Sequence, residues 1–153
     1  MDFNLIVRRT LDLGLILDIL SDKEIFDSIS EDGATFNDLN LDVLKHYWLE
    51  IEVNEYVIGV VQFKPMFSKC YDAHIHILPE FRREYSKEAG SKILEWCEAN
   101  IPNSLIYTNV PEFCKNVIAF LESFDFEWSG KLSGAWLKNG VNNDMIIYTK
   151  RVK

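Results

Sequence analysis

Apolar and polar residues alternate with a period of two along Tyr47–Val53, which sets Leu49, Ile51 and Val53 on one side and Trp48, Glu50 and Glu52 on the other. That is the pattern of a half-buried strand. An Asn54-Glu55 turn follows, and then Tyr56–Phe63, almost continuously apolar as a central strand is. A loop holding Pro65 and Ser68 leads into a second alternating stretch, Tyr71–Leu78. Ala73, Ile75 and Ile77 share one face there, and Asp72, His74, His76 and Leu78 share the other, until Pro79 ends the strand.

The flanks carry a different period. Asn4–Arg9 reads as a short strand, Thr10 as the cap of a helix over Leu11–Leu20, and Ser21 with Glu24 as a capping box opening a second helix to Ile29. Glu31-Asp32-Gly33 breaks that pattern, and residues 34–45 fit neither period cleanly. Downstream, Ser86–Asn100 reads as a helix with Ala89, Ile93, Trp96 and Cys97 as its apolar stripe. Ser104–Val110 is a strand, and Phe113–Phe124 a helix with Phe113, Val117, Phe120, Leu121 and Phe124 inward. Two last strands, Glu127–Leu137 and Asn143–Arg151, flank Asn139-Gly140, a dipeptide suited to a type I′ turn. The order β-α-α-β-β-β-α-β-α-β-β puts a meander between helices. It predicts a single α+β (mixed α/β) domain over residues 1–153, with one mostly antiparallel mixed sheet and helices on both faces.

Composition narrows the partners. The 153 residues are 48% hydrophobic and 26% charged, enough for one packed core. A net charge of −8 argues against nucleic acid, whose phosphates ask for a basic surface. Cys70, Cys97 and Cys114 are odd in number and hold no CxxC pair, so free thiols in a reducing compartment are expected. No apolar run reaches the roughly 18 residues of a membrane span, and Asp2 stands where a signal peptide is basic. A cytoplasmic protein without membrane partners is the expectation.

Ile75–Trp96 (IHILPEFRREYSKEAGSKILEW) resembles the acyl-CoA-binding core of GNAT (Gcn5-related N-acetyltransferase) proteins, where a strand ends in Pro-x-x-Arg before a phosphate-binding loop and helix. Asn116–Phe126 (NVIAFLESFDF) is similar to the next helix of that family, and the element order agrees along nearly the whole chain. The resemblance implies acetyl-CoA or CoA as cofactor, with the pantetheine arm along Ile75–Leu78. It implies Ile77, Leu78, Arg82, Arg83, Ser86, Lys87, Gly90 and Asn116 as cofactor-binding residues, the pyrophosphate meeting backbone N–H groups between Arg82 and Gly90. Within the superfamily, Glu24-Ile25-Phe26, Glu31-Asp32-Gly33 and the later LPEFR look like a phage-encoded branch, some members of which are described as head-assembly proteins. The chain departs from the family in three places. No glycine stands between Arg83 and Gly90, Leu121 falls near the tyrosine that often serves as general acid, and Asp125 replaces a glycine.

Two functions follow. The first is an N-acetyltransferase acting on an unidentified small-molecule or protein amine, with His74 or His76 as the base, since neutral imidazole suits that role near pH 7. The second is a non-catalytic GNAT-like protein that contacts phage structural proteins in the host cytoplasm, and the three departures motivate it. The same-face trio Asp72, His74 and His76 has the spacing of a metal site but lacks a fourth ligand. Tyr85 and Tyr107 are the alternative acids.

Overall fold

The alternating stretches pair as a meander of three antiparallel strands: β2 (Tyr47–Val53), β3 (Tyr56–Phe67) and β4 (Cys70–Ile77). The structure, a computed structural model, describes residues 4–153. Asn54 and Glu55 join β2 to β3 with φ of 49° and 71°, the left-handed pair that a tight hairpin of the I′ type requires. β1 (Leu5–Arg9) lies antiparallel along the outer edge of β2. β5 (Leu105–Pro111), β6 (Glu127–Lys138) and β7 (Val141–Arg151) complete a seven-stranded sheet of order β1-β2-β3-β4-β5-β7-β6. β4 and β5 run parallel, and every other neighbouring pair is antiparallel. The predicted mixed sheet and element order are therefore observed.

Each face of the sheet buries a helical layer. Leu49, Ile51, Val61, Phe63 and Ile77 pack against α3 (Pro79–Asn100) through Tyr85, Ala89, Ile93 and Cys97. On the opposite face, Trp48 and Val60 meet Ile16, Ile19 and Leu20 of α1 (Leu13–Leu20) and Ile25 of α2 (Lys23–Ile29). α4 (Lys115–Ser123) covers the β5–β7 half, where Leu121 packs with Val110, Ile146 and Tyr148. Helices thus lie on both faces, as the pattern required.

Several boundaries differ from the sequence reading. α3 begins at Pro79, not Ser86, because proline suits the first helical position, where an N–H has no partner anyway. β3 runs through Pro65 to Phe67. β2 ends opposite Phe63, so beyond it β3 pairs with β4 alone, and a proline without an N–H is tolerated on that open edge. The caps are the aspartates: Asp12 accepts from the Leu15 N–H, and Asp22 from those of Glu24 and Ile25, displacing the expected Thr10 and Ser21. Residues 34–45 hold one 3₁₀ turn, Phe36–Asp38. α4 starts only at Lys115, which leaves Phe113 exposed against the Trp136 ring instead of inward.

Candidate functional site

The parallel seam is short. β4 and β5 pair at Cys70–Leu105, Tyr71–Ile106 and Asp72–Tyr107, and there the ladder stops. β4 stays paired with β3 as far as Ile77, and β5 stays paired with β7 as far as Pro111. The two halves of the sheet therefore part beyond Asp72. Along Ala73–Ile77 the β4 edge that faces β5 keeps backbone polar groups without a ladder partner. A cavity of about 400 Å³ fills the parting. On one side of the sheet Gly90, Ile93 and Leu94 of α3, Leu121 of α4 and Phe124 at its C-cap wall it; on the other, Leu20, Ile29, Leu41, Trp48 and Trp136 do so.

Strand period brings both predicted histidines to this cavity. His74 stands in a cross-strand row with Gln62 and Trp48, and His76 opposite Val60. Their rings are 6.4 Å apart and nearly parallel. His74 Nε2 lies 2.9 Å from Asp72 Oδ1, close enough for an ion pair but off the hydrogen-bond line. His76 is the more enclosed. Desolvation first, then the neighbouring His74 and Arg82 charges, push its pKa from 6.5 down to about 3. Folded His76 thus stays neutral while the unfolded chain takes up a proton, so stability is complete above 6.5 and falls as pH drops toward 3. The aspartates with lowered values, Asp32, Asp42 and Asp144, lose their contribution only below 3.8. Between about pH 6.5 and pH 4, thermal unfolding is expected to move down in the natural protein and much less in His76→Gln. Equal slopes in the two proteins would show that His76 is not held neutral.

Behind this row sits a pair that the sequence reading missed. Gln62 Nε2 lies 2.9 Å from His46 Nδ1 and donates to the Asn40 carbonyl at 3.2 Å. His46 is buried, and desolvation lowers its pKa, with Lys64 and Lys45 adding to the effect and Asp42 opposing it. The two residues are 16 apart in sequence, so only the strand register could have revealed them.

The expected phosphate-binding loop is helix. Between Arg82 and Gly90 the backbone belongs to α3, so its N–H groups are used within the helix. Arg82 turns toward α2: its Nε donates to the Ile77 carbonyl at 2.8 Å and its Nη1 to Glu24 at 3.0 Å. Arg83 and Lys87 are exposed and make no hydrogen bond or ion pair within the described residues. With a helical period they share a stripe with Gly90 and Leu94, which line the cavity. Ser86 gives its hydroxyl to the Arg82 carbonyl. Gly90 has a packing reason: an added Cβ would stand 2.5 Å from the tip of the Phe124 ring. Ile77 is buried in the α3 core, Leu78 caps α3 and donates its N–H to the Ile58 carbonyl, and Asn116 is exposed in the first turn of α4. Leu121 lines the cavity. Asp125 takes φ of 64°, the left-handed conformation that a glycine adopts freely. Tyr85 is buried against Phe81, away from the cavity, and Tyr107 lies opposite Asp72 at the seam. Among the described residues no three His, Cys, Asp or Glu side chains converge as metal ligands do.

A clamp spans the two halves on the α1–α2 side. Lys138 Nζ donates to the Asp27 and Ser30 carbonyls at 2.6 Å and 2.7 Å. The Asp32 carboxylate accepts from the Asn139 and Gly140 N–H groups, both at 2.8 Å, and these bonds lower its pKa. Glu31 accepts from the Leu137 N–H at 2.9 Å. The segment after α2 is thereby tied to the tip of the β6–β7 hairpin.

Neither a protein-family model nor a curated protein sequence matches the chain, and no helix among the described residues is long and apolar enough to cross a membrane. Solved structures do match. A spermidine N-acetyltransferase from Vibrio cholerae, in complex with CoA and spermine, aligns over 97% of this chain and 95% of its own, at 18% identity and a TM-score of 0.80. An N-acetyltransferase from Staphylococcus aureus Mu50 aligns over 98% and 99%, at 16% identity and 0.73. YncA from Salmonella typhimurium, solved with acetyl-CoA as its cofactor, aligns over 98% and 95%, at 15% identity and 0.73. At these identities the likeness is one of architecture, and the seven-stranded sheet with its parted β4 and β5 has the mixed α/β GNAT fold of N-acetyltransferases.

Proposed function

We propose that the protein is an N-acyltransferase that moves an acetyl group from acetyl-CoA to an amine across the parted seam. The observation that carries this reading is the cavity between β4 and β5, walled from both sides of the sheet and reached by His74. The free β4 edge over Ala73–Ile77 suits the amides of a pantetheine arm, and the apolar wall from α3 and α4 suits its methylenes. The phosphate end has no backbone cradle in α3, so it falls to the side chains of Arg83 and Lys87, beyond Gly90 on the cavity stripe. Bound there, the cofactor would supply the activated acyl group. Asp72 beside Nε2 favours the proton on that nitrogen and leaves His74 Nδ1 to take one from the attacking amine. His76, with a pKa near 3, is a weak base and serves better as a neutral hydrogen-bonding wall. Leu121 offers no proton where the family has a tyrosine, so the chain contributes no general acid at that point.

Replacing Arg83 and Lys87 together by alanine is expected to weaken CoA binding about 10–100-fold, the scale of one or two charge-assisted hydrogen bonds. Arg82→Ala should leave CoA affinity alone and lower the melting temperature, since it frees Glu24 and the Ile77 carbonyl. Calorimetric titration of both variants checks this, and an undiminished affinity in the double variant would remove the phosphate site.

A second reading, a non-catalytic interaction protein of a phage head, is favoured by the regular helix where the family has its loop. Titration of the natural protein with acetyl-CoA separates the two. Micromolar binding with a raised melting temperature supports the transferase, whereas silence at about millimolar ligand leaves the interaction protein.

A further inference from the structure

The wall of the cavity carries no Asp, Glu, Lys or Arg among the described residues. On the α1–α2 side, where an acceptor amine would enter, it is built from Leu20, Ile29, Leu41, Trp48 and Trp136, with uncharged Ser28, Asn40, Gln62 and Asn109 and the two histidines among its polar members. The carboxylates nearest that side are engaged elsewhere. Glu24 holds Arg82, Asp27 holds Lys138, Glu31 accepts from Leu137, and Asp32 caps Asn139 and Gly140. The Gln62 amide nitrogen is spent on His46 and Asn40, and the Trp48 indole N–H, enclosed in the core, has no acceptor. The wall therefore offers mostly apolar surface, and the anion nearest it, Asp72, already lies against His74. An ammonium ion would lose its water there without gaining a counter-charge, a costly exchange.

We propose that the acceptor chamber selects a weakly basic amine on an aromatic body, one that enters without charge, and rejects polyamines. This deepens the transferase reading and rests on it for the acyl step, though not for binding. Such an amine rests its ring against Trp136 and brings a neutral nitrogen toward His74. A nitrogen that arrives unprotonated gives up a proton to His74 only as its bond to the acyl carbon forms. The titratable groups facing the cavity are His74, with Asp72 against it, His76, with Arg82 nearby, and the thiols of Cys97 and Cys114, while His46 stands beyond Gln62.

Equilibrium binding to the intact protein, read by quenching of Trp136 fluorescence above the background of buried Trp48 and of Trp96 in the α3 core, tests the inference without any turnover. Trp128→Phe removes the signal of an exposed tryptophan outside the chamber. Three probes are used: p-toluidine, benzylamine and spermidine. p-Toluidine is expected to quench saturably with an affinity flat from about pH 7 to pH 9. Benzylamine should tighten about tenfold per pH unit over that range as its neutral fraction grows, and spermidine should bind at least about tenfold more weakly than p-toluidine. Spermidine binding as tightly as p-toluidine, benzylamine binding better as its cation, or no binding by either aromatic amine would each overturn the proposal. Missing acyl transfer with this binding pattern intact would fall on the transferase reading alone.

Discussion

Replacing His74 by alanine is expected to slow acyl transfer about 10²–10⁴-fold, the usual share of a positioned base, while CoA affinity stays within about twofold. The separation follows from geometry. His74 projects to the α1–α2 side of β4, whereas the α3–α4 side and the β4 edge would hold the cofactor. His74 is also partly exposed, so its removal leaves no large void in the core. Steady-state turnover with a competent amine, alongside CoA titration, measures both quantities. A His74→Ala protein with unimpaired turnover would mean that another group takes the amine's proton, and would end the assignment of the base. His76→Ala makes the control, because a histidine with a pKa near 3 contributes little basicity at neutral pH.

The second large effect concerns Gly59. A Cβ at this position would stand 2.4 Å from the His76 carbonyl oxygen and 3.0 Å from the Ile77 Cα. Both are backbone atoms of β4, so no rotamer change relieves the clash. Gly59→Ala is expected to cost about 3 kcal/mol, at the upper end of overpacking penalties, and so to lower the melting temperature by about 6–12 °C. The strand displaced is the one that carries His74 and His76, so binding should weaken in the protein that remains folded. Gly90→Ala makes a useful contrast, since its clash is with the tip of the Phe124 ring, a side chain that can swing. Thermal unfolding of the two variants side by side checks the ranking, and a Gly59→Ala protein as stable as the natural one would contradict the close approach of β3 and β4.

Much of this architecture is written locally. Alternation in Tyr47–Val53 and Tyr71–Leu78 is a backbone consequence of the pleat, and the meander with its histidine face follows from it. The start of α3 was also legible. Phe81, Tyr85, Ala89, Ile93 and Cys97 recur every four residues and four of the five are buried. The run of charged residues on the other faces of the helix, Glu80, Arg82, Arg83, Glu84, Lys87 and Glu88, masks that period. Arg82 illustrates a further limit. Its partner Glu24 lies 58 residues earlier, and no local pattern distinguishes an arginine held by a distant helix from its free neighbour Arg83. The cavity was illegible for a similar reason, since it exists because two strands stop pairing after Asp72. Sequence alternation is the same for a strand with a neighbour and for one whose neighbour has turned away.

The unfilled space between β4 and β5 carries a cost that reaches beyond recognition. Side chains along its walls, Ile93, Val110, Leu121 and Met145 among them, forgo dispersion contacts that a closed core would give them. Larger residues in those places would recover that energy and shut the chamber, so heat tolerance and ligand capacity draw on the same volume. Selection for thermal endurance alone would drift toward a sealed sheet.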